Sequence, residues 1–212
     1  MKTIALFGIT GRTGKPLQTL LLAKGYSIKA LARTPKNVGL AHPALTLVQG
    51  NILNANDVEQ TITGADAVIS VIGQVRGDSQ TTQVQTLGTQ NILAAMEKHG
   101  VKRLLSLTGG AVPYHKDQPK LPDKAIRCIM NLIVKETLAD AIAHAELIQK
   151  SNTDWTVIRG PRLLEKPPEG AYRVGWVGVN ASTAITYGDL AQFIMDEFEQ
   201  GQYLHSMPFV SR

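Results

Sequence analysis

Residues 3–25 read Thr3-Ile4-Ala5-Leu6-Phe7, then Gly8-Ile9-Thr10-Gly11-Arg12-Thr13-Gly14, then Lys15-Pro16-Leu17-Gln18-Thr19-Leu20-Leu21-Leu22-Ala23-Lys24-Gly25. The first five are nearly all apolar, as a parallel strand buried on both faces requires. Pro16 to Lys24 predict a helix closed by Gly25. Between them stand three glycines. Their spacing permits a tight turn, the close approach of a pyrophosphate, and close packing of helix on strand. A helix that starts there aims backbone N–H groups and the positive end of its dipole at phosphate. Thr10, Arg12 and Thr13 add hydroxyl and guanidinium donors. The plainer reading is a glycine-rich turn serving only the fold, but strand, turn and helix in this order favour nucleotide binding. A GK[ST] phosphate loop is excluded, because Lys15 is followed by Pro16.

The alternation continues along the chain. Strands are predicted over 26–32, 45–49, 67–72, 103–107, 154–159 and 203–209, and helices over 54–63, 83–99 and 189–199. Residues 123–150 lack Gly and Pro and carry Ile126, Ile129, Ile133, Leu138 and Ile142 at roughly helical spacing. They predict one long helix or two joined ones. Gly160 to Ser182 is rich in Gly and Pro and reads as loop with short strands. Together these predict an α/β fold: a single domain over 1–212 with a doubly wound, Rossmann-like parallel sheet. Ligands on such sheets bind at the carboxyl ends of the strands. The tips after Phe7, Ala32, Gln49, Ile72, Leu107 and Arg159 should therefore surround one crevice, with 109–125 and 160–186 supplying its substrate side.

Composition narrows the classes. The chain has 212 residues, 43% of them hydrophobic, enough for one domain with a real core. Mean hydropathy is −0.04, which excludes a disordered chain. No apolar run approaches the ~18 residues of a membrane span. Lys and Arg total 22 against 17 acids, a net charge of +5 that suits an anionic ligand but is too weak to argue for nucleic acid. The expected partner is a small-molecule substrate, without nucleic acid or membrane, and a monomer is favoured. One cysteine, Cys128, excludes an internal disulfide and points to a reducing cytoplasm. It reads as a small buried hydrophobe on its helix. His42, His99 and His205 show no metal spacing and His144 reads as a packed helix residue, so no metal is expected.

The second strand tip selects the cofactor. An acid there holds a free ribose 2′-hydroxyl, whereas arginine accommodates a 2′-phosphate. This chain has Ala32-Arg33-Thr34-Pro35-Lys36. Arg33 offers a fork of donors that Arg12 or Lys36 can join, which predicts NADP rather than NAD.

With Gly8 to Gly14 and Arg33 on the page, further segments extend a likeness. Gly50-Asn51-Ile52, Val71-Ile72-Gly73, Ala94-Ala95-Met96 and Thr156-Val157-Ile158-Arg159 resemble the atypical short-chain dehydrogenase/reductases, in particular NmrA-like proteins and the flavin reductase/biliverdin reductase B type. The resemblance runs over essentially the whole chain. It implies that Asn51 and Ile52 lie beside the adenine, where the family more often has Asp-Val or Asp-Ile. It also implies that Ile72-Gly73 passes the ribose and phosphates, that Thr108 approaches the nicotinamide ribose, and that Gly160-Pro161-Arg162 borders the nicotinamide. By the same resemblance Arg162 is near the substrate and pairs with an acidic acceptor.

The chain departs from the larger superfamily in one respect. No Tyr-x-x-x-Lys occurs, and the matching places hold Leu138 and Ile142. Alcohol oxidation and sugar epimerisation through a tyrosine acid/base are disfavoured. What remains is hydride delivery to a conjugated acceptor such as a flavin, quinone or tetrapyrrole, which takes its proton from water. Thr108 is the candidate catalytic hydrogen-bond donor, with a plain strand end as the alternative. Tyr114, beside His115 and Lys116, is the candidate substrate contact, with a solvated loop as the alternative. The competing function is a non-catalytic NADP-binding redox sensor or regulator of the NmrA-like type.

Overall fold

The structure, a computed structural model, describes residues 2–73 and 82–212. Six parallel strands carry the nucleotide-binding architecture: β1 (Thr3–Phe7), β2 (Ser27–Ala32), β3 (Leu45–Gln49), β4 (Ala67–Ser70), β5 (Arg103–Gly109) and β6 (Asp154–Gly160). They lie in the order β3-β2-β1-β4-β5-β6, and the sheet is completed by β10 (Phe209–Ser211) and β8 (Arg173–Gly175). The order reverses between β1 and β4, so the crevice opens at the carboxyl end of β1.

The two-residue period of a strand explains the layering. Along β1, Ile4 and Leu6 enter one core while Ala5 and Phe7 enter the other. The first core is filled by Leu17 and Leu21 of α1 (Gly14–Ala23) and by Leu190 and Ile194 of α6 (Tyr187–Gln200). The second takes Val58 and Ile62 of α2 (Ala55–Ile62), Ile92 and Met96 of α3 (Val84–His99), and Leu138 and Ala145 of α5 (Lys135–Gln149). Gly100 ends α3 at φ +68, in the left-handed region that glycine enters without a Cβ clash.

Four expectations are corrected. The last strand was predicted over Tyr203–Phe209 and begins only at Phe209. The Tyr203 N–H is taken by the Glu197 carboxylate at 3.1 Å, His205 adopts φ +51, and Pro208 has no N–H to give a ladder. β4 stops at Ser70 instead of Ile72, while β5 and β6 run on to pair Thr108 with Arg159 and Gly109 with Gly160. Ala184–Thr186 forms an unforeseen short strand, β9, pairing with β7 (Arg162–Leu164) apart from the main sheet. The 123–150 stretch takes one of its two predicted forms, two joined helices, α4 (Leu121–Ile133) and α5, meeting at Val134 (φ −133); the correction there concerns burial. No residue of α4 is buried, and Cys128 is exposed on it, not packed in a core.

Candidate functional site

The glycine turn divides its labour. Gly8 sits at φ +92, and a Cβ there would stand 2.9 Å from the Val71 carbonyl oxygen of the chain leaving β4. A Cβ on Gly14 would collide with the Gly8 carbonyl. Both glycines therefore serve backbone packing. Gly11 is exposed, donates its N–H to Gly8 O at 2.9 Å, and a Cβ on it would meet only that oxygen, at 3.1 Å. It is the residue of the turn that a ligand can approach.

The helix behind it is uncommonly bare. α2 is capped by the Asn54 side chain and α6 by Thr186. The α3 N-terminus is closed from α5, where Asp140 accepts from Gln85 N (3.0 Å), Thr86 N (2.9 Å) and Thr86 Oγ1 (2.6 Å). Asp123 fills that role for α4, and α5 has Glu136 in its first turn. α1, like α3, has neither a capping side chain of its own nor an acid in its first turn, and among the described residues no side chain does for it what Asp140 does for α3. Thr13, its N-cap, is buried and makes no cap bond. Residues 8–14 thus fit an anion held by backbone amides.

On the flanks, Arg33 is exposed at the end of β2, and Lys36 lies in a short 3-10 turn over Pro35–Asn37. Thr10 is exposed on the turn. The Arg12 guanidinium stacks 4.9 Å over the Tyr187 ring at the start of α6. Asn51 gives its N–H to Asp57 Oδ2 at 2.8 Å, and its side-chain oxygen accepts from Leu53 N at 3.1 Å. The amide oxygen thus serves its own turn. Ile52 is held by Asn91 Nδ2 on its carbonyl at 2.9 Å, and with Ile72 it lines a small cavity against Thr89 and His144. Gly73 is exposed and borders residues outside the described ones.

Thr108 is 5% exposed, and its hydroxyl has no hydrogen-bond partner. Leaving a buried hydroxyl unpaired costs about 1–3 kcal/mol, which marks Thr108, at its strand tip, as a candidate ligand contact. Pro161 is half-buried after β6, and Arg162 is exposed on β7. Leu138 is buried and Ile142 half-buried in the same apolar cluster as Tyr114.

The residue that organises this side is Arg159, which sequence reading treated only as the end of a strand. It is fully buried. Its Nη atoms bond both Asp117 oxygens at 2.8 Å, one of them also bonds Val112 O at 3.0 Å, and Nε bonds Met207 O at 2.9 Å. Asp117 also accepts from Tyr114 N (2.9 Å) and Val177 N (3.1 Å), and lies 3.8 Å from Arg127. Burial works to raise the Asp117 carboxyl, but the Arg159 hydrogen bonds and charge outweigh it and hold the pKa below the usual carboxylate value. Tyr114 is consequently no solvated loop residue. It is 9% exposed, with its ring 5.5 Å from both the Arg159 guanidinium and Trp176. The signal available in the sequence was an arginine in the otherwise apolar run Trp155-Thr156-Val157-Ile158-Arg159, where burial demands an acid partner.

His144 is buried between Thr89 Oγ1 (Nδ1, 2.6 Å) and Ser106 Oγ (Nε2, 3.2 Å). Burial, opposed by the Asp140 charge, lowers its pKa to about 4. Among the described residues no group of three or more His, Cys, Asp or Glu is placed to hold a metal ion. No described helix is long and apolar enough to cross a membrane.

Comparison with known proteins agrees with this geometry. An uncharacterised chloroplastic protein of Arabidopsis thaliana, At2g34460, is 28% identical over 180 residues, covering 80% of this chain and 62% of that protein. A 3-beta-hydroxysteroid dehydrogenase of Mycolicibacterium neoaurum is 30% identical over 119 residues, 51% of this chain and 32% of its own. The chain thus spans from 32% to 62% of the length of these relatives. Among solved structures, the ylbE oxidoreductase of Lactococcus lactis superposes with a TM-score of 0.81 at 23% identity, covering 100% of this chain and 91% of that one. ChuY, an anaerobilin reductase of Escherichia coli O157:H7, gives 0.80 at 17% identity, with 100% and 97% covered. The NAD(P)H-binding family model matches residues 8–200, from the first glycine of the turn to the end of α6, and the chain belongs to that NAD(P)H-binding family.

Proposed function

We propose that this chain is an NADPH-dependent reductase that delivers hydride to a small conjugated acceptor: a flavin, quinone or tetrapyrrole. The observation that carries the reading is the buried, unpaired Thr108 hydroxyl at the tip of β5; Leu138 and Ile142 stand where the resemblance would expect an acid/base pair. The nicotinamide cofactor, when bound, supplies the hydride. Residues 8–14 and the bare start of α1 hold the pyrophosphate, and Arg33 receives the 2′-phosphate. Asn51 and Ile52 border the adenine, and Ile72 and Gly73 the adjoining ribose and phosphates. Thr108 would donate to the nicotinamide ribose or the acceptor, and Pro161 would border the nicotinamide. Arg162 and the Tyr114 loop face the acceptor. Alignment is the protein's main contribution, because a conjugated acceptor takes its proton from solvent. An anaerobilin reductase shares the fold, which puts tetrapyrroles in the panel. The free thiol of Cys128 fits a reducing compartment such as the cytoplasm.

The test is NADPH oxidation against FMN, quinones and biliverdin. At least one acceptor is reduced, and Thr108→Val lowers that rate by about ten- to a hundredfold, less than losing a dedicated general acid costs at its upper end. NADPH binding with no acceptor reduced would make the chain a regulator instead.

A further inference from the structure

α4 turns its apolar side away from the protein. Leu121, Ile126, Ile129, Leu132 and Ile133 are 82%, 51%, 52%, 80% and 70% exposed. At about 100° per residue they fall on one side of the helix, and Asp123, Arg127 and Asn131 fall on the other. The polar side is the one tied to the body. Arg127 is half-buried and reaches toward Asp117, and Asp123 is half-buried as well. An ordinary surface helix of a globular protein is oriented the other way round.

Cations surround this face. Lys116 and Lys120 precede the helix, Lys124 is within it and Lys135 follows, all exposed. The acids nearby are Asp117, already paired with Arg159, together with Asp123 and Glu136. An aliphatic face with a basic surround complements one chemistry in particular: acyl chains beneath anionic headgroups.

We propose that α4 is an interfacial helix that docks this chain on an anionic lipid surface. The helix has 13 residues. It is therefore about 20 Å long, and its five apolar side chains expose about 600 Å², less than the ~800 Å² per partner of a stable protein interface. A twofold pairing of two copies through this face also brings Lys120 and Lys124, or Lys135, against lysines of the second copy. That repulsion between lysines disfavours self-association and favours an anionic lipid surface. The absence of an 18-residue apolar run excludes a span but not a helix lying in the interface. The loop from the tip of β5 leads directly into α4, and Arg127, Asp117 and Arg159 link it to the tip of β6. Docking would thus hold the substrate side of the crevice near the bilayer.

The experiment is flotation of the full chain with phosphatidylcholine vesicles, with and without phosphatidylserine. The chain floats with the anionic vesicles and not with the neutral ones, and added salt releases it. The double variants Ile129→Gln/Leu132→Gln and Lys124→Glu/Lys135→Glu each lower the bound fraction by about tenfold or more. Their circular dichroism and their NADPH-induced thermal shift stay those of the wild type. No flotation with anionic vesicles, or flotation indifferent to Ile129→Gln/Leu132→Gln, overturns the proposal. So does a wild-type dimer in light scattering that the same variant makes monomeric, because the face would then pair two copies. Vesicle binding needs no acceptor, so its failure leaves the reductase reading intact, and the converse holds.

Discussion

The two halves of the crevice are built on different principles. Around β1 and α1 the part of the site that a ligand can approach is set locally: seven consecutive residues make the turn, the bare helix start and the exposed Gly11. Around β5 and β6 the organising contact joins Arg159 to Asp117, 42 positions apart, and the loop carrying Tyr114 takes its shape from that pair. A local site changes by local geometry and leaves the sheet alone. A site stapled by a buried ion pair cannot lose one partner without leaving a charge unpaired.

The sharpest way to break the comparison is at the glycines. Gly11→Val puts a side chain where the pyrophosphate approaches, so cofactor-induced thermal shift should vanish while circular dichroism stays near wild type. Gly14→Ala, which drives a Cβ into the Gly8 carbonyl, should instead damage the fold. A Gly11→Val protein with normal affinity would mean that the phosphates sit elsewhere.

On the other half, Asp117→Ala leaves the Arg159 guanidinium buried and alone. Urea unfolding should show a loss of about 3–5 kcal/mol. A loss under about 1 kcal/mol, the worth of an exposed pair, would show that the staple does not hold the substrate side.

A smaller effect lies in pH. The unfolded chain protonates His144 near 6.5, and the folded chain only near 4. Falling pH therefore loads the unfolded state first. The contribution is complete above about pH 6.5 and is lost progressively down to about 4, a total of about 3 kcal/mol. Unfolding midpoints measured across that window should lose this slope in His144→Gln. An unchanged slope would assign the acid sensitivity to other groups.

The sequence carried the parallel sheet because each of its six strands is a short apolar run closed by turn residues, and β1 to β6 lie where the alternation put them. It carried the turn because glycine roles follow from backbone geometry, which is local. It missed the staple because Asp117 sits in a polar loop, and nothing near it in the sequence indicates a buried arginine. It misjudged α4 for a related reason. Helical spacing reveals an apolar face but not the side on which the body lies, so Cys128 was read as buried and is exposed. Tyr203 to Pro208 read as strand because the composition suits one, while the carboxylate that claims the Tyr203 N–H comes from α6.

The most direct test of the central claim is calorimetric titration of NADPH and NADH into the wild type and Arg33→Ala. Arg33 stands where an acid would hold a free ribose, and a charge-assisted contact to phosphate is worth about 1.5–3 kcal/mol. The wild type should bind NADPH about ten- to a hundredfold more tightly than NADH, and Arg33→Ala should erase most of that preference. Equal affinities of the wild type for the two cofactors would contradict the account.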